Sequence, residues 1–256
     1  MRNARGVHNR HERKSMTHRD MYEGIRAECT EANRRLPGTG LVDLTFGNVS
    51  VLDSEAGVFA IKPSGVDYGE LTPENMVIVD LEGQVVEGEL RPSSDTPTHC
   101  GLFLALAKHG VRSIVHTHSR SAVAFAQAGR DIPCFGTTHA DYFRGAVPVT
   151  REMTPEEVEG DYEWETARVI IERFVQIDPM EIPSVLVRNH GPFSWGPSAR
   201  EALETAQALE AIADMAWKTQ DIDPQAAQAP RHLLERHFLR KHGKGAYYGQ
   251  DPEGAR

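Results

Sequence analysis

The chain has 256 residues, of which 39% are hydrophobic and 25% are charged, and its net charge is −9. This composition predicts one globular domain with a full core and excludes disorder over the whole length. No apolar run approaches the roughly 20 residues that a membrane helix needs, and an acidic chain disfavours nucleic acid as the main partner.

The charge is unevenly distributed along the chain. Residues 1–20 carry six basic and two acidic side chains, so the remainder holds 22 basic and 35 acidic ones. A polar, Arg-rich end without an apolar segment predicts a disordered basic extension over 1–19, with a transit peptide or a nucleic-acid-binding arm as the alternatives. Three widely spaced cysteines, Cys29, Cys100 and Cys134, indicate reduced thiols and a cytoplasmic location.

The first ninety residues predict a helix followed by hairpin-joined strands. Apolar residues near helical spacing favour a helix over Asp20–Arg35, which Leu36-Pro37-Gly38 ends. Apolar runs bounded by turn residues then favour four strands, which are Leu41–Leu52, Val58–Pro63, Val77–Leu81 and Gln84–Glu87. Short turns between successive strands indicate an antiparallel sheet.

The rest of the chain predicts helices that alternate with two short strands. The strands are Ser113–Thr117 and Val185–Asn189. The helices are Cys100–Lys108, Ser121–Gln127, one that Thr154 caps, Trp164–Val175, Pro197–Gln220 and His232–Lys241. Because no repeat or linker divides the chain, we expect a single α/β domain in which helices cover a mainly antiparallel sheet.

A group of histidines and one carboxylate predicts a metal site. In His116-Thr117-His118 the two imidazoles project from the same side of a strand, although two half-exposed strand histidines would give the same pattern. His190, at the end of another strand, is a third candidate ligand. Asp95 is a fourth, with helix N-capping as its alternative role. Such a set suits zinc, with manganese or another divalent cation as the alternative.

Three loops of small polar residues predict a phosphate site. They are Phe46–Ser50, Lys62–Gly65 and Pro92–Ser94. Glycine allows close backbone approach, and serine, asparagine and free amides donate hydrogen bonds to phosphate oxygens. Lys62 supplies the local positive charge that an acidic chain otherwise lacks. Each loop alone is also typical of an ordinary turn, and none is a Walker or Rossmann loop.

These motifs together resemble the class II aldolase and adducin superfamily, and within it the L-ribulose-5-phosphate 4-epimerases. The resemblance runs in order over residues 20–250. The segments that carry it are Leu44–Ser50, Ile61–Tyr68, Pro92–His99, Val115–Arg120, Gly136–Tyr142, Asn189–Phe193, Lys241–Gly243 and Ala246–Gln250. It implies a catalytic domain over 20–250, a flexible tail over 251–256, and a three-layer α/β/α sandwich.

The resemblance also implies roles for individual residues. His116, His118, His190 and Asp95 match the metal ligands of the superfamily. Its phosphate and substrate contacts are matched by Gly47, Asn48, Ser64, Gly65, Ser93 and Ser94, with Lys62 nearby. Asp141 and Tyr248 match a proton-transfer pair. Apart from the resemblance, His237 on the last helix is a candidate helper, with an exposed helical histidine as the simpler interpretation. The substrate is expected to be a small phosphorylated sugar, and the assembly a homotetramer with active sites at subunit interfaces.

Asp95 separates the two enzyme types within the superfamily. Related sugar-phosphate aldolases carry glutamate at the matching position, where the longer carboxylate doubles as an acid or base. The shorter Asp95, with Asp141 and Tyr248, favours a metal-dependent epimerase that interconverts L-ribulose 5-phosphate and D-xylulose 5-phosphate by cleaving and re-forming the C3–C4 bond. An aldolase that releases an aldehyde is the alternative, and an adducin-like scaffold without enzymatic activity is a remote one.

Overall fold

The computed structural model of the chain describes residues 21–247. The basic extension expected over 1–19, the tail expected over 251–256, and Tyr248 therefore lie outside the described residues.

Seven strands form one sheet in the order β4-β3-β2-β1-β5-β7-β6, and every neighbouring pair is antiparallel. The strands are β1 (Asn48–Asp53), β2 (Val58–Ile61), β3 (Val77–Asp80), β4 (Val85–Glu87), β5 (Ser113–His116), β6 (Ser184–Leu186) and β7 (Pro192–Gly196). The register sets Asn48 opposite His116, and His116 opposite Phe193. Asn48, His116 and Phe193 are therefore neighbours across the three central strands β1, β5 and β7, and two of them are polar residues of the predicted site.

Eight α-helices are found in the described part of the chain, together with short 3-10 turns. The helices are α1 (Glu23–Arg35), α2 (Thr96–Leu106), α3 (Arg120–Ala128), α4 (Thr137–Ala140), α5 (Pro155–Glu159), α6 (Tyr162–Arg173), α7 (Ala199–Ile222) and α8 (Arg231–His242). Thr154 and Glu157 form a capping box at the start of α5, which confirms the predicted cap. None of the helices between residues 21 and 247 is long and apolar enough to cross a membrane.

Two apolar cores lie on opposite faces of the sheet, because successive strand residues point to opposite sides. Val49 and Val51 join α1 in one core, whereas Leu52 joins α2, α3 and α6 in the other. Helix α7 contributes to both, through Ala199–Ala206 to the first and Leu209–Ala216 to the second. This arrangement confirms the three-layer α/β/α sandwich.

Several sequence-based element assignments differ from the structure. Helix α4 was not predicted, and α2 begins at Thr96 instead of Cys100. The first strand begins at Asn48 instead of Leu41, because Leu44 and Gly47 adopt φ values of 55° and 85° that break the pleat. The strand predicted over Val185–Asn189 ends at Leu186, and a turn follows. Strand β7 was not predicted, because the glycines and prolines at its ends are typical of turns.

Candidate metal centre

His116 is the buried anchor of the site. It ends β5, is 1% exposed, and its ring stacks on Phe193 with the centroids 4.2 Å apart. Its Nδ1 lies 3.0 Å from the carbonyl oxygen of Pro192. Since a carbonyl only accepts, Nδ1 carries the proton and donates it. The lone pair of His116 is therefore on Nε2, which is the atom available to a metal ion.

The Nε2 atom of His118 lies next to the Nε2 atom of His116. The strand has ended, yet the two-residue spacing still places both imidazoles on one side, and their Nε2 atoms are 3.1 Å apart. His118 is exposed, and Phe46 stacks against it with ring centroids 5.9 Å apart. The predicted convergence of His116 and His118 is present in the structure.

His190 reaches the pair from the turn between β6 and β7. Asn189 adopts a left-handed φ of 61° in that turn. A Cβ on Gly191 would lie 2.8 Å from the carbonyl oxygen of Thr117, so only glycine lets the turn approach this closely. One ligand atom from each of His116, His118 and His190 falls within 4.8 Å of the others. The structure therefore brings the three predicted histidines together.

Asp95 faces the pocket instead of capping a helix. It occupies the N-cap position of α2, but its side chain makes no capping hydrogen bond. Its Oδ2 accepts a hydrogen bond of 2.7 Å from Asn48 Nδ2. Burial alone would raise the pKa of this carboxyl, but nearby His116 and His99 and the bond from Asn48 outweigh burial and lower it. Asp95 is held as a carboxylate beside the histidines.

The electrostatics of the cluster favour cation binding. Burial lowers the pKa of His116 and His118, and it lowers that of His190 to about 3. All three imidazoles are consequently neutral at pH 7 and have lone pairs to offer. Two nitrogens bound to one tetrahedral zinc at about 2.0–2.1 Å lie roughly 3.4 Å apart. The 3.1 Å separation of the two Nε2 atoms is close to that value, so the donors fit a divalent cation.

The opposite end of the pocket is built from two paired loops. Ser64 N donates to Arg91 O at 2.9 Å, and Ser93 N donates to Lys62 O at 3.0 Å. Lys62 is 3% exposed, and its Nζ lies 5.0 Å from the centroid of the Tyr68 ring. Burial lowers its pKa, although Asp67 opposes this effect. Its Nζ donates to Pro63 O at 3.4 Å, and no carboxylate of the described residues forms an ion pair with it, which leaves its charge for an anion.

One cavity of about 430 Å³ joins both ends. All four predicted metal ligands line it. The seven predicted substrate contacts line it as well, and they are Gly47, Asn48, Lys62, Ser64, Gly65, Ser93 and Ser94. A Cβ on Gly47 would lie 2.7 Å from the carbonyl oxygen of His116, so this loop passes the metal cluster at a distance that only glycine permits.

Residues 27–217 match the family described as class II aldolase and adducin N-terminal domain. The chain belongs to this family.

Solved structures of sugar-phosphate aldolases resemble the chain over most of its length. An L-fuculose 1-phosphate aldolase is 25% identical, with a TM-score of 0.70 over 84% of this chain and 94% of that one. The L-fuculose-1-phosphate aldolase of Thermus thermophilus is 26% identical, with a TM-score of 0.61 over 80% and 98%. A sugar-phosphate aldolase from Thermotoga maritima is 18% identical, with a TM-score of 0.59 over 82% and 99%, and so supports the fold alone.

Asp141 lies apart from the cavity in this class II aldolase-type fold. It follows α4, and its carboxylate accepts hydrogen bonds from Arg240 and from His237 on α8. Burial acts to raise the pKa of Asp141, but those two partners outweigh it and lower the pKa. Asp141 does not line the cavity that holds the histidines. The expected proton carrier and the metal cluster are not brought together within the described residues of one chain.

Outside the predicted loops and motifs, sequence reasoning missed two residues that line the cavity, Tyr162 and Glu163. Tyr162 begins α6, and its Oη lies 3.2 Å from Nδ1 of His190. No motif in the neighbouring sequence identifies either residue, because a Tyr-Glu pair at the start of an amphipathic helix is an ordinary pattern. Only the packing of α6 beside the turn at His190 gives Tyr162 its position.

Proposed function

We propose that the chain is a divalent-metal-dependent, cytoplasmic L-ribulose-5-phosphate 4-epimerase. The observation that carries this proposal is that one cavity combines three neutral histidines and Asp95 with the buried Lys62, which pairs with no carboxylate of residues 21–247. A substrate with an anionic end and a chelating oxygen end suits such a cavity, and a ketose phosphate has both. Zinc is the cation we expect, with manganese as the alternative.

The reaction must break a carbon–carbon bond. Carbon 4 of a 2-ketopentose is not adjacent to the carbonyl, so its hydrogen is not acidic enough for simple deprotonation. Removing the proton of the C4 hydroxyl and cleaving C3–C4 instead gives a three-carbon enediolate and glycolaldehyde phosphate. Re-forming the bond on the other face of the aldehyde inverts carbon 4 with all atoms retained.

Residues at the two ends of the cavity have different proposed roles in this reaction. Lys62 and the paired serine loops hold the phosphate, so the aldehyde fragment stays bound while it turns. His116, His118, His190 and Asp95 would hold the cation, which supplies Lewis-acid stabilisation of negative charge on the sugar oxygens.

Asp141 and Tyr248 are proposed to exchange the C4 hydroxyl proton on opposite faces of the aldehyde. Since Asp141 does not line the cavity of its own chain, it would serve the cavity of a neighbouring subunit in the expected homotetramer. Its lowered pKa keeps it ionised at neutral pH.

An aldolase that releases its fragments is the second candidate. The similarity to two L-fuculose-1-phosphate aldolases, at 25% and 26% identity, favours it. The short carboxylate of Asp95, tied to Asn48 at 2.7 Å, favours the epimerase because it leaves less reach for proton transfer to a sugar oxygen.

The test is interconversion of L-ribulose 5-phosphate and D-xylulose 5-phosphate by the purified protein and by its Asp141→Asn and Tyr248→Phe variants. We expect the wild-type protein to interconvert them and both variants to lose most activity while metal content stays normal. Full activity in both variants would remove the assigned roles. Purified protein that contains no metal and is not activated by zinc or manganese would favour the adducin-like scaffold.

A further inference from the structure

His190 differs from the other two histidines in how its backbone is supported. His116 lies on a central strand and His118 directly follows it, whereas His190 lies in a turn whose preceding residue has a left-handed φ of 61°. The backbone N of His190 donates to Val187 O at 3.0 Å, which fixes the turn but not the ring. The ring of His190 therefore needs a further contact to fix its direction.

Tyr162 provides that contact. Its Oη is 3.2 Å from Nδ1 of His190, and within residues 21–247 this is the one side-chain hydrogen bond to that ring. The two rings lie 6.1 Å apart at an angle of 33°. With Nδ1 directed at Tyr162, the other ring nitrogen, Nε2, is the one left for the cluster with His116 and His118.

Tyr162 is itself held by a rigid helix pair. Thr98 Oγ1 on α2 donates to Glu163 O at 2.7 Å, next to Tyr162 at the start of α6. The two helices touch so closely at Gly101 that an added Cβ would lie 2.6 Å from the Cβ of Ala167. Asp95 is the N-cap residue of the same helix α2. One helix therefore carries a predicted ligand and supports the residue that contacts another.

We propose that Tyr162 is a positioning residue that accepts the Nδ1–H of His190 and so directs its Nε2 to the divalent cation. Metal-binding histidines generally donate their second N–H to a partner, and loss of that partner typically weakens metal binding by 10–100-fold. This role rests on the proposed function, because it presumes that the histidine cluster holds a metal ion.

The test is the dissociation constant for Zn²⁺, measured by competition with a chelating dye on Tyr162→Phe, which keeps the ring and removes only Oη. The matched control is Tyr22→Phe. Tyr22 is a buried tyrosine of the core beside α1, and it does not line the cavity. We expect a dissociation constant at least about tenfold higher for Tyr162→Phe and unchanged for Tyr22→Phe.

Two further measurements distinguish a role of Tyr162 in positioning His190 from a role in the stability of the fold. The unfolding temperature of metal-free protein should be the same for the wild type and Tyr162→Phe, and the absorption spectrum of bound Co²⁺ should change in the variant. Unchanged Zn²⁺ affinity and an unchanged Co²⁺ spectrum in Tyr162→Phe would overturn the positioning role alone. A wild-type protein that binds neither ion would overturn the proposed function and this role with it.

Discussion

The Nε2 atoms of His116 and His118 lie 3.1 Å apart, and the Nδ1 of His116 is fixed by the carbonyl oxygen of Pro192. This relationship follows from the alternation of side chains along a strand and from the neighbouring strand β7, which supplies the carbonyl. The lone pair on Nε2 of His116 and the closeness of Nε2 of His118 fit one divalent cation that both nitrogens would bind.

Replacing one member of this pair should remove the metal. We expect His118→Gln to raise the dissociation constant for Zn²⁺ at least about 100-fold, because a direct ligand should matter more than its hydrogen-bond partners do. Elemental analysis and chelator competition measure it. The control is His109→Gln, which changes an exposed histidine outside the cavity. Equal metal content in both variants would place the metal site elsewhere.

Lengthening Asp95 should change the product. In Asp95→Glu the carboxylate moves away from Asn48, which holds Asp95 at 2.7 Å, and gains reach toward a sugar oxygen. We expect epimerisation to fall about 100-fold, in line with the cost of a misplacement of about 1 Å. Free glycolaldehyde phosphate should rise, and an aldehyde-specific dehydrogenase assay would detect it. If Asp95→Glu epimerises as fast as the wild type, residue 95 does not decide the reaction.

Removing the charge of Lys62 should weaken substrate binding without affecting the metal. A hydrogen bond to a charged group contributes about 1.5–3 kcal/mol, so Lys62→Met should raise KM about 10- to 100-fold. Steady-state kinetics measures the change in KM, and elemental analysis measures whether the metal content stays the same. Lys108→Met, at an exposed lysine, is the control. A variant of Lys62 that loses its metal, or keeps its KM, would contradict the phosphate role.

Buried His139 should make the protein less stable in mild acid. Burial lowers its pKa from 6.5 to about 4, and its Nε2 donates to Gly145 O at 2.7 Å. Between those values the unfolded chain binds more protons, so stability falls as pH drops from about 6.5 toward 4, by on the order of 3 kcal/mol. Urea unfolding at pH 7 and pH 5 measures the part of this loss that falls between those pH values, about 2 kcal/mol. It should be smaller in His139→Gln and unchanged in His109→Gln, and equal losses in all three proteins would contradict the assignment.

The sequence predicted which residues meet in the cavity better than it predicted the strands that carry them. The predicted ligands and loop residues stand in short motifs, and the residue types within each motif indicate its chemistry. All eleven predicted ligands and contacts within the described residues line one cavity. Strand β7 was missed, although Phe193 and Trp195 are fully buried, because its flanking glycines and prolines are also typical of loops.

Tertiary contacts explain what the sequence could not predict. Tyr162 meets His190 across 28 positions of sequence, and Asp141 meets Arg240 across 99. The second pair fastens α8 to α4 and removes Asp141 from the cavity of its own chain. No spacing rule connects residues so far apart, so their roles depend on how the helices pack.

The central claim is tested most directly by one coupled assay. Purified protein is incubated with L-ribulose 5-phosphate, with and without a strong chelator, and both D-xylulose 5-phosphate and free glycolaldehyde phosphate are followed. The account predicts conversion to D-xylulose 5-phosphate that the chelator abolishes and added zinc or manganese restores, with little free aldehyde. Conversion that the chelator leaves unchanged, or release of aldehyde without D-xylulose 5-phosphate, would contradict it.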